Sequence, residues 1–159
     1  LVDTGLETMT GGRLKRIQRY VEDEDSFFFT YGDGLTDLNL NDELAFHNAH
    51  GGLATVLAVS SPGRFGRLEI SNGQVQKFSE KPAGDSQRIN GGYFILNQGV
   101  FDYLDDDTTI WEQEPLIKLS SDGELYAYNH DGFWQPMDTL REKLILEDMW
   151  NNGEAPWKF

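Results

Sequence analysis

Two aspartates stand where chemistry could use them. Asp33 follows the run Phe27-Phe28-Phe29-Thr30-Tyr31 inside the turn Gly32-Asp33-Gly34, and Asp138 stands in Trp134-Gln135-Pro136-Met137-Asp138-Thr139, just ahead of a helix start. Two carboxylates brought together from distant segments are a usual way to hold Mg²⁺ against a substrate phosphate, because that hard cation fills the rest of its shell with water and phosphate oxygens. Both residues also have plain structural uses: an Asp between glycines forms turns, and one beside Thr139 can cap a helix. Glu80-Lys81-Pro82 offers a lysine that can meet a phosphate as a point charge and a glutamate that can accept from sugar hydroxyls. A surface charge pair at a proline turn is the alternative. Asn90-Gly91-Gly92 reads as the start of a strand where a ligand approaches the backbone closely, although glycine pairs also end helices. Thr10-Gly11-Gly12-Arg13 opens a helix whose free amides and arginine could receive an anion. It matches neither the P-loop pattern nor the dinucleotide fingerprint. His47 and His50, three residues apart, could in principle ligate zinc, but without a third ligand at suitable spacing they read as an exposed helix face; His130 is a lone loop histidine. No serine sits in a nucleophile-elbow context.

Hydrophobic patterning supplies the elements that must carry these residues. Leu14, Ile17 and Val21 recur at three- and four-residue spacing, which predicts a short amphipathic helix over Gly12–Val21. The run Phe27–Tyr31 lacks polar alternation and predicts a strand buried on both faces, with Asp33 at its carboxyl end, where open α/β sheets bind ligands. Asn41–His50 reads as a helix capped by Asn39 or Asn41 and stopped by Gly51-Gly52. Ala54–Val59 is a second buried strand, and Phe65–Ile70 with Val75–Phe78 flank the hairpin signal Asn72-Gly73. Gly92–Leu96 and Leu125–Tyr128 are further strands. Thr109 with Glu112 and Thr139 with Glu142 form possible capping boxes, the first for a helix to about Leu119. The second opens a helix with Leu140, Leu144, Ile145 and Met149 on one side. Strands alternating with helices, plus one antiparallel hairpin, give an α/β fold with a mixed sheet, as one domain over residues 1–159.

Composition narrows the function classes. A net charge of −14 argues against broad nucleic-acid binding, which needs basic groups to replace phosphate counterions. It suits handling of anionic substrates through a divalent cation, and equally suits simple solubility. With no cysteine there is no disulfide, thiolate nucleophile or cysteine-ligated metal. No stretch approaches the roughly 18 apolar residues of a membrane helix, and Leu1–Gly11 lacks the basic and apolar regions of a signal peptide. A cytoplasmic protein with no membrane partner is the simplest expectation. The start at Leu1, without an initiator methionine, hints at a fragment.

The order of seven runs adds a resemblance. Thr10–Arg16, Tyr31-Gly32-Asp33-Gly34, Pro62–Gly66, Phe78-Ser79-Glu80-Lys81-Pro82, Ile89–Phe94, Trp111–Leu116 and Gly132–Thr139 succeed one another as in the sugar-phosphate nucleotidyltransferases. The likeness covers nearly the whole chain, and Trp134–Thr139 is most similar to the glucose-1-phosphate cytidylyltransferase branch. The resemblance implies the Rossmann-like nucleotide-diphospho-sugar transferase fold, with a mostly parallel mixed sheet flanked by helices. It also implies attack by glucose 1-phosphate on the α-phosphorus of CTP, Mg²⁺ as cofactor, and a homo-oligomer. By matching motifs, Asp33 and Asp138 would hold the metal and Glu80 the glucose hydroxyls, while Lys81 would meet the phosphate and act with the aspartates in catalysis. Asn90, Gly91, Gly92 and Trp134 would line the substrate pocket, and Gly11, Gly12 and Arg13 would approach the nucleotide. The family opens with a glycine-rich loop ending in Thr-Arg, followed by a lysine in a Lys-Pro-Lys-Pro-like stretch, and neither motif occurs in this sequence. The chain is therefore expected to be the C-terminal portion of such a domain, with little activity alone. A non-catalytic sugar-phosphate-binding or assembly module, or an enzyme of the family using UTP or dTTP, are the alternatives.

Overall fold

The structure, a computed structural model, describes residues 1–60, 67–71, 73–79 and 88–158. The Pro62–Gly66 run, Asn72, Glu80 and Lys81 lie outside the described residues. Four strands form the central sheet: β1 (Ser26–Thr30), β6 (Arg88–Asn97), β3 (Ala54–Ser60) and β7 (Leu125–His130), side by side in that order. β6 is antiparallel to both its neighbours while β3 and β7 run parallel, so three of the four strands point the same way around one reversed strand. This is the mixed sheet expected. β2 (Gly34–Thr36) and β8 (Trp134–Pro136) make a separate antiparallel ribbon, and β4 (Arg67–Ser71) and β5 (Gln74–Ser79) the anticipated hairpin, with Gly73 at φ +79°.

Alternating side chains divide the core between the two sheet faces. Phe94 and Leu96 of β6 join Ala54, Phe27, Leu14, Trp111 and Leu119 on one face; Leu57 and Val59 of β3 join Leu38 on the other, with Tyr93, Tyr128 and Trp134 against them. Helix α2 (Leu40–His50) starts on the Asn39 side chain, which accepts from the Asn41 amide, and stops at Gly51 in the left-handed region at φ +73°. Helix α4 (Leu140–Asn151) opens with the capping box expected: Thr139 and Glu142 each accept from the other's backbone amide. Its buried contact is Leu146, while Leu140, Leu144 and Ile145 face outward among the described residues.

Four expectations need correction. β1 is a sheet edge paired only with β6 among the described residues, and Phe28 is 49% exposed while Phe27 is buried, so the strand is not covered on both faces. The first helix splits into α1 (Thr10–Arg16) and a 3₁₀ turn at Gln18–Tyr20, so Gly11 and Gly12 lie inside it. The Thr109–Glu112 box does not form, because α3 (Glu114–Ser121) begins later, with Pro115 in its first turn, where proline's missing N–H costs nothing. Thr109 Oγ1 accepts from the Asp106 amide at 3.1 Å, and Glu112 accepts from Thr10 at 2.7 Å. Finally, β6 begins at Arg88, which puts Asn90, Gly91 and Gly92 within a strand rather than at its start.

Candidate functional site

The β2–β8 ribbon is what brings the two aspartates to one place. Gly34 pairs with Pro136, and one residue further the Met137 amide donates to the Asp33 carbonyl at 2.7 Å. Asp33 and Asp138 thus flank the last rung of a ladder joining segments about a hundred positions apart in sequence. Both line a cavity of about 350 Å³, together with Asn90, Gly91, Gly92 and Trp134. The ribbon is itself pinned to the sheet: Tyr93 donates to the Gly34 carbonyl at 2.6 Å, and Trp134 Nε1 donates to the Gly91 carbonyl at 2.8 Å. At its far end Asp37 accepts from the Phe133 amide at 2.8 Å and lies 3.0 Å from His130 Nε2, so the lone histidine is a bracing partner of the ribbon.

The glycines have reasons of their own. A Cβ on Gly91 would lie 3.0 Å from Val59 and 3.1 Å from the Leu57 carbonyl, where β3 shifts register. Gly92 has φ +77°, and a Cβ there would lie 2.6 Å from the Tyr31 ring. The pair therefore serves close packing of protein on protein while also lining the cavity. Its neighbour Asn90 accepts from the Gly92 amide at 2.8 Å through Oδ1 and donates to the Tyr31 hydroxyl at 3.2 Å through Nδ2. Burial, and then the neighbouring Glu112, push the Tyr31 phenol well above its ordinary value.

A second cavity of about 380 Å³ adjoins the first, lined by Thr10, Arg13, Tyr31, Gly32, Asp33 and Glu112. Tyr31 and Asp33 belong to both. Arg13 reaches it while donating to Thr4 Oγ1 at 2.7 Å and to the Leu6 carbonyl at 3.1 Å. The free helix-start amides expected at Gly11 and Gly12 are not free: both donate to the Thr109 carbonyl, at 2.9 and 3.2 Å. A Cβ on Gly12 would lie 2.7 Å from Asp107 Cα, so these glycines admit the loop before α3.

The histidine pair is also corrected, since His47 is buried rather than exposed. Its environment has one consistent set of donors. The Gly52 amide donates to His50 Nδ1, so His50 Nε2–H donates to Thr55 Oγ1; the Thr55 proton then goes to His47 Nδ1 and His47 Nε2–H to Asn97 Oδ1. Asn97 Nδ2 closes the ring on the Gly52 carbonyl. With every imidazole nitrogen engaged, this is a structural network with no nitrogen left for zinc. Burial, and then His47, lower the His50 pKa. Among the described residues no cluster of three or more His, Cys, Asp or Glu side chains is placed to hold a metal.

Sequence patterns placed Asp33, Asp138, Asn90, Gly91, Gly92 and Trp134 among the candidates, and the structure brings all six to one cavity. Tyr31 and Glu112 are not legible in the sequence as individual site residues, because their meeting at the second cavity depends on tertiary contact between the end of β1 and the loop before α3. Their only signal was membership of the Tyr31–Gly34 and Trp111–Leu116 runs.

Comparison with known proteins gives the family. The nucleotidyl transferase family matches residues 9–137. This chain belongs to the nucleotidyl transferases. Of its curated relatives, the glucose-1-phosphate cytidylyltransferase of Salmonella typhi is 58% identical over 158 residues, covering 99% of this chain and 62% of that protein. The probable glucose-1-phosphate cytidylyltransferase of Bacillus subtilis is 43% identical over 99% of this chain and 61% of its own length. A putative glucose-1-phosphate thymidylyltransferase from Bacillus anthracis, solved in complex with a sucrose, superposes with a TM-score of 0.68 at 18% identity, over 98% of this chain and 65% of that one. That likeness shows the shared fold. The chain thus spans 62% and 61% of the length of these two curated relatives. Every cavity residue named above except Asp138 falls inside the nucleotidyl transferase match.

Proposed function

We propose that this chain forms the sugar-phosphate side of a glucose-1-phosphate cytidylyltransferase, which joins the cytidylyl group of CTP to glucose 1-phosphate and releases pyrophosphate. The observation that carries the reading is the convergence of Asp33, Asp138, Asn90 and Trp134 on one cavity, in a chain 58% identical to an enzyme of that name. An oxygen of the sugar phosphate forms the new bond to the α-phosphorus as the bond to the β-phosphate oxygen breaks, in line, so the protein's task is positioning and charge stabilisation. Asn90 and the Gly91–Gly92 backbone orient the sugar, with Glu80 on its hydroxyls and Lys81 on its phosphate. Arg13, at the second cavity, faces the nucleotide side.

Two carboxylates with no third carboxylate or imidazole clustered beside them among the described residues suit Mg²⁺, which keeps several positions for water and phosphate oxygens. Asp33 and Asp138 would hold it, and when bound it supplies charge neutralisation at the phosphates. Turnover by this chain alone is expected to be slight. We place the protein in the cytoplasm as a homo-oligomer; among the described residues no helix is long and apolar enough to cross a membrane.

The test is a calorimetric titration of the chain with glucose 1-phosphate. Saturable heat is expected from the unsubstituted protein and its loss in Lys81→Ala, because a point charge on the phosphate is then missing. Absence of heat from the unsubstituted chain would overturn the sugar-phosphate reading.

A further inference from the structure

Tyr31 lines both cavities, and the hydrogen bond at its hydroxyl runs in only one consistent direction. A backbone N–H can only donate, so Asn90 uses Oδ1 to accept from Gly92 and turns Nδ2 toward Tyr31. An amide nitrogen has no acceptor to offer, so the phenol oxygen must accept there. Its own proton is not used there, and Tyr31 meets Glu112 at the second cavity, which both line. Glu112 accepts from Thr10 Oγ1 at 2.7 Å, and Thr10 accepts from the Trp111 amide at 2.9 Å. The Asn90 amide is therefore held from two sides, by the Gly92 N–H on Oδ1 and by the Tyr31 oxygen on Nδ2. Asn90 is exposed and lines the first cavity, and among the described residues nothing accepts its second N–H.

We propose that Tyr31 is a positioning residue for the sugar phosphate: its hydroxyl, accepting from Nδ2, fixes the Asn90 amide so that one N–H is presented to the first cavity. This rests on the reading of that cavity as a sugar-phosphate site. The hydroxyl and the ring have separable duties. The ring lies against Gly92 and packs near Phe29 and Phe94, with centroids 6.3 and 5.9 Å away, and phenylalanine would keep those contacts. What phenylalanine removes is the acceptor for Asn90, which leaves that side chain free to rotate.

A double-mutant cycle read by glucose 1-phosphate titration tests this, with the thermal midpoint of each variant recorded. Tyr31→Phe is expected to weaken binding about tenfold, the size of one hydrogen bond. Asn90→Ala should weaken it at least as much, and the double variant no further than Asn90→Ala, since Tyr31 acts through Asn90. A purely structural role for Tyr31 would instead weaken binding equally in either background. Unchanged binding by Tyr31→Phe, or additive losses in the double variant, would overturn the proposal. Should Tyr31→Phe not fold, Tyr31→Leu takes its place: it likewise removes the acceptor oxygen for Asn90, and the same non-additivity with Asn90 is required. No heat from the unsubstituted chain overturns the cavity reading and this inference with it, an outcome distinct from a tight-binding Tyr31→Phe.

Discussion

Asp33 and Asp138 share a cavity because one backbone hydrogen bond, Met137 to Asp33, continues the β2–β8 ladder to their positions. Their types and settings made them legible in sequence, one after an aromatic run and the other before a capped helix. The ribbon that joins them was not legible, because three-residue strands leave too short a pattern to read. The same limit hid the Tyr31–Glu112 contact, which depends on which loop lies beside β1. If the two carboxylates hold a divalent cation, replacing one should cost metal affinity specifically. Asp138→Asn is expected to weaken Mn²⁺ binding in the presence of CTP by tenfold or more, followed by electron paramagnetic resonance, about 1.4 kcal/mol or above. Titration with glucose 1-phosphate in the absence of metal should stay near that of the unsubstituted chain. Equal metal binding by the two proteins would remove Asp138 from the site.

Helix α2 shows how an element can be legible in outline and hidden in content. Asn39 and Gly51 mark its ends plainly, because capping and positive-φ chemistry are local. Which of its faces is buried is a tertiary matter, and here the buried residues are polar: His47, engaged in the closed ring with Thr55 and Asn97, and Glu43. Both Glu43 carboxyl oxygens are buried without a hydrogen-bond partner among the described residues, and burial pushes this carboxyl up from 4.5 to about 7. The folded state therefore holds a proton that the unfolded chain releases as pH rises above about 4.5. Stability should fall from there to about pH 7 and then level off, with a total loss of about 3 kcal/mol at 1.36 kcal/mol per pH unit. Glu43→Leu, similar in bulk, should abolish this fall and leave the protein more stable than the parent at pH 8. Urea unfolding at pH 5 and pH 8 measures it; an unchanged pH dependence in the variant would mean that Glu43 is not the titrating group.

Among the exposed apolar groups of the described residues, those on β1 and helix α4 bear on assembly. β1 ends the sheet with Phe28 half exposed and its outer edge unpaired among the described residues, and helix α4 turns Leu140, Leu144 and Ile145 outward. Unpaired edges and contiguous apolar faces are surfaces that proteins normally cover. We expect light scattering to report a dimer or larger assembly, and a clean monomer at high concentration would count against it. The order of strands and helices, and hence the mixed sheet, could be read from the alternation of buried runs with capped amphipathic ones. The edge position of β1 could not, since an aromatic run looks alike whether one face or two are covered. The central claim is that the cavity between β6 and the β2–β8 ribbon takes a sugar phosphate, and a crystal structure of the chain grown with glucose 1-phosphate and Mg²⁺ tests it most directly. The glucose ring is expected beside Asn90, Gly91 and Trp134, with its phosphate toward Asp33 and Asp138. A sugar phosphate seated elsewhere, with this cavity filled by water alone, would contradict it.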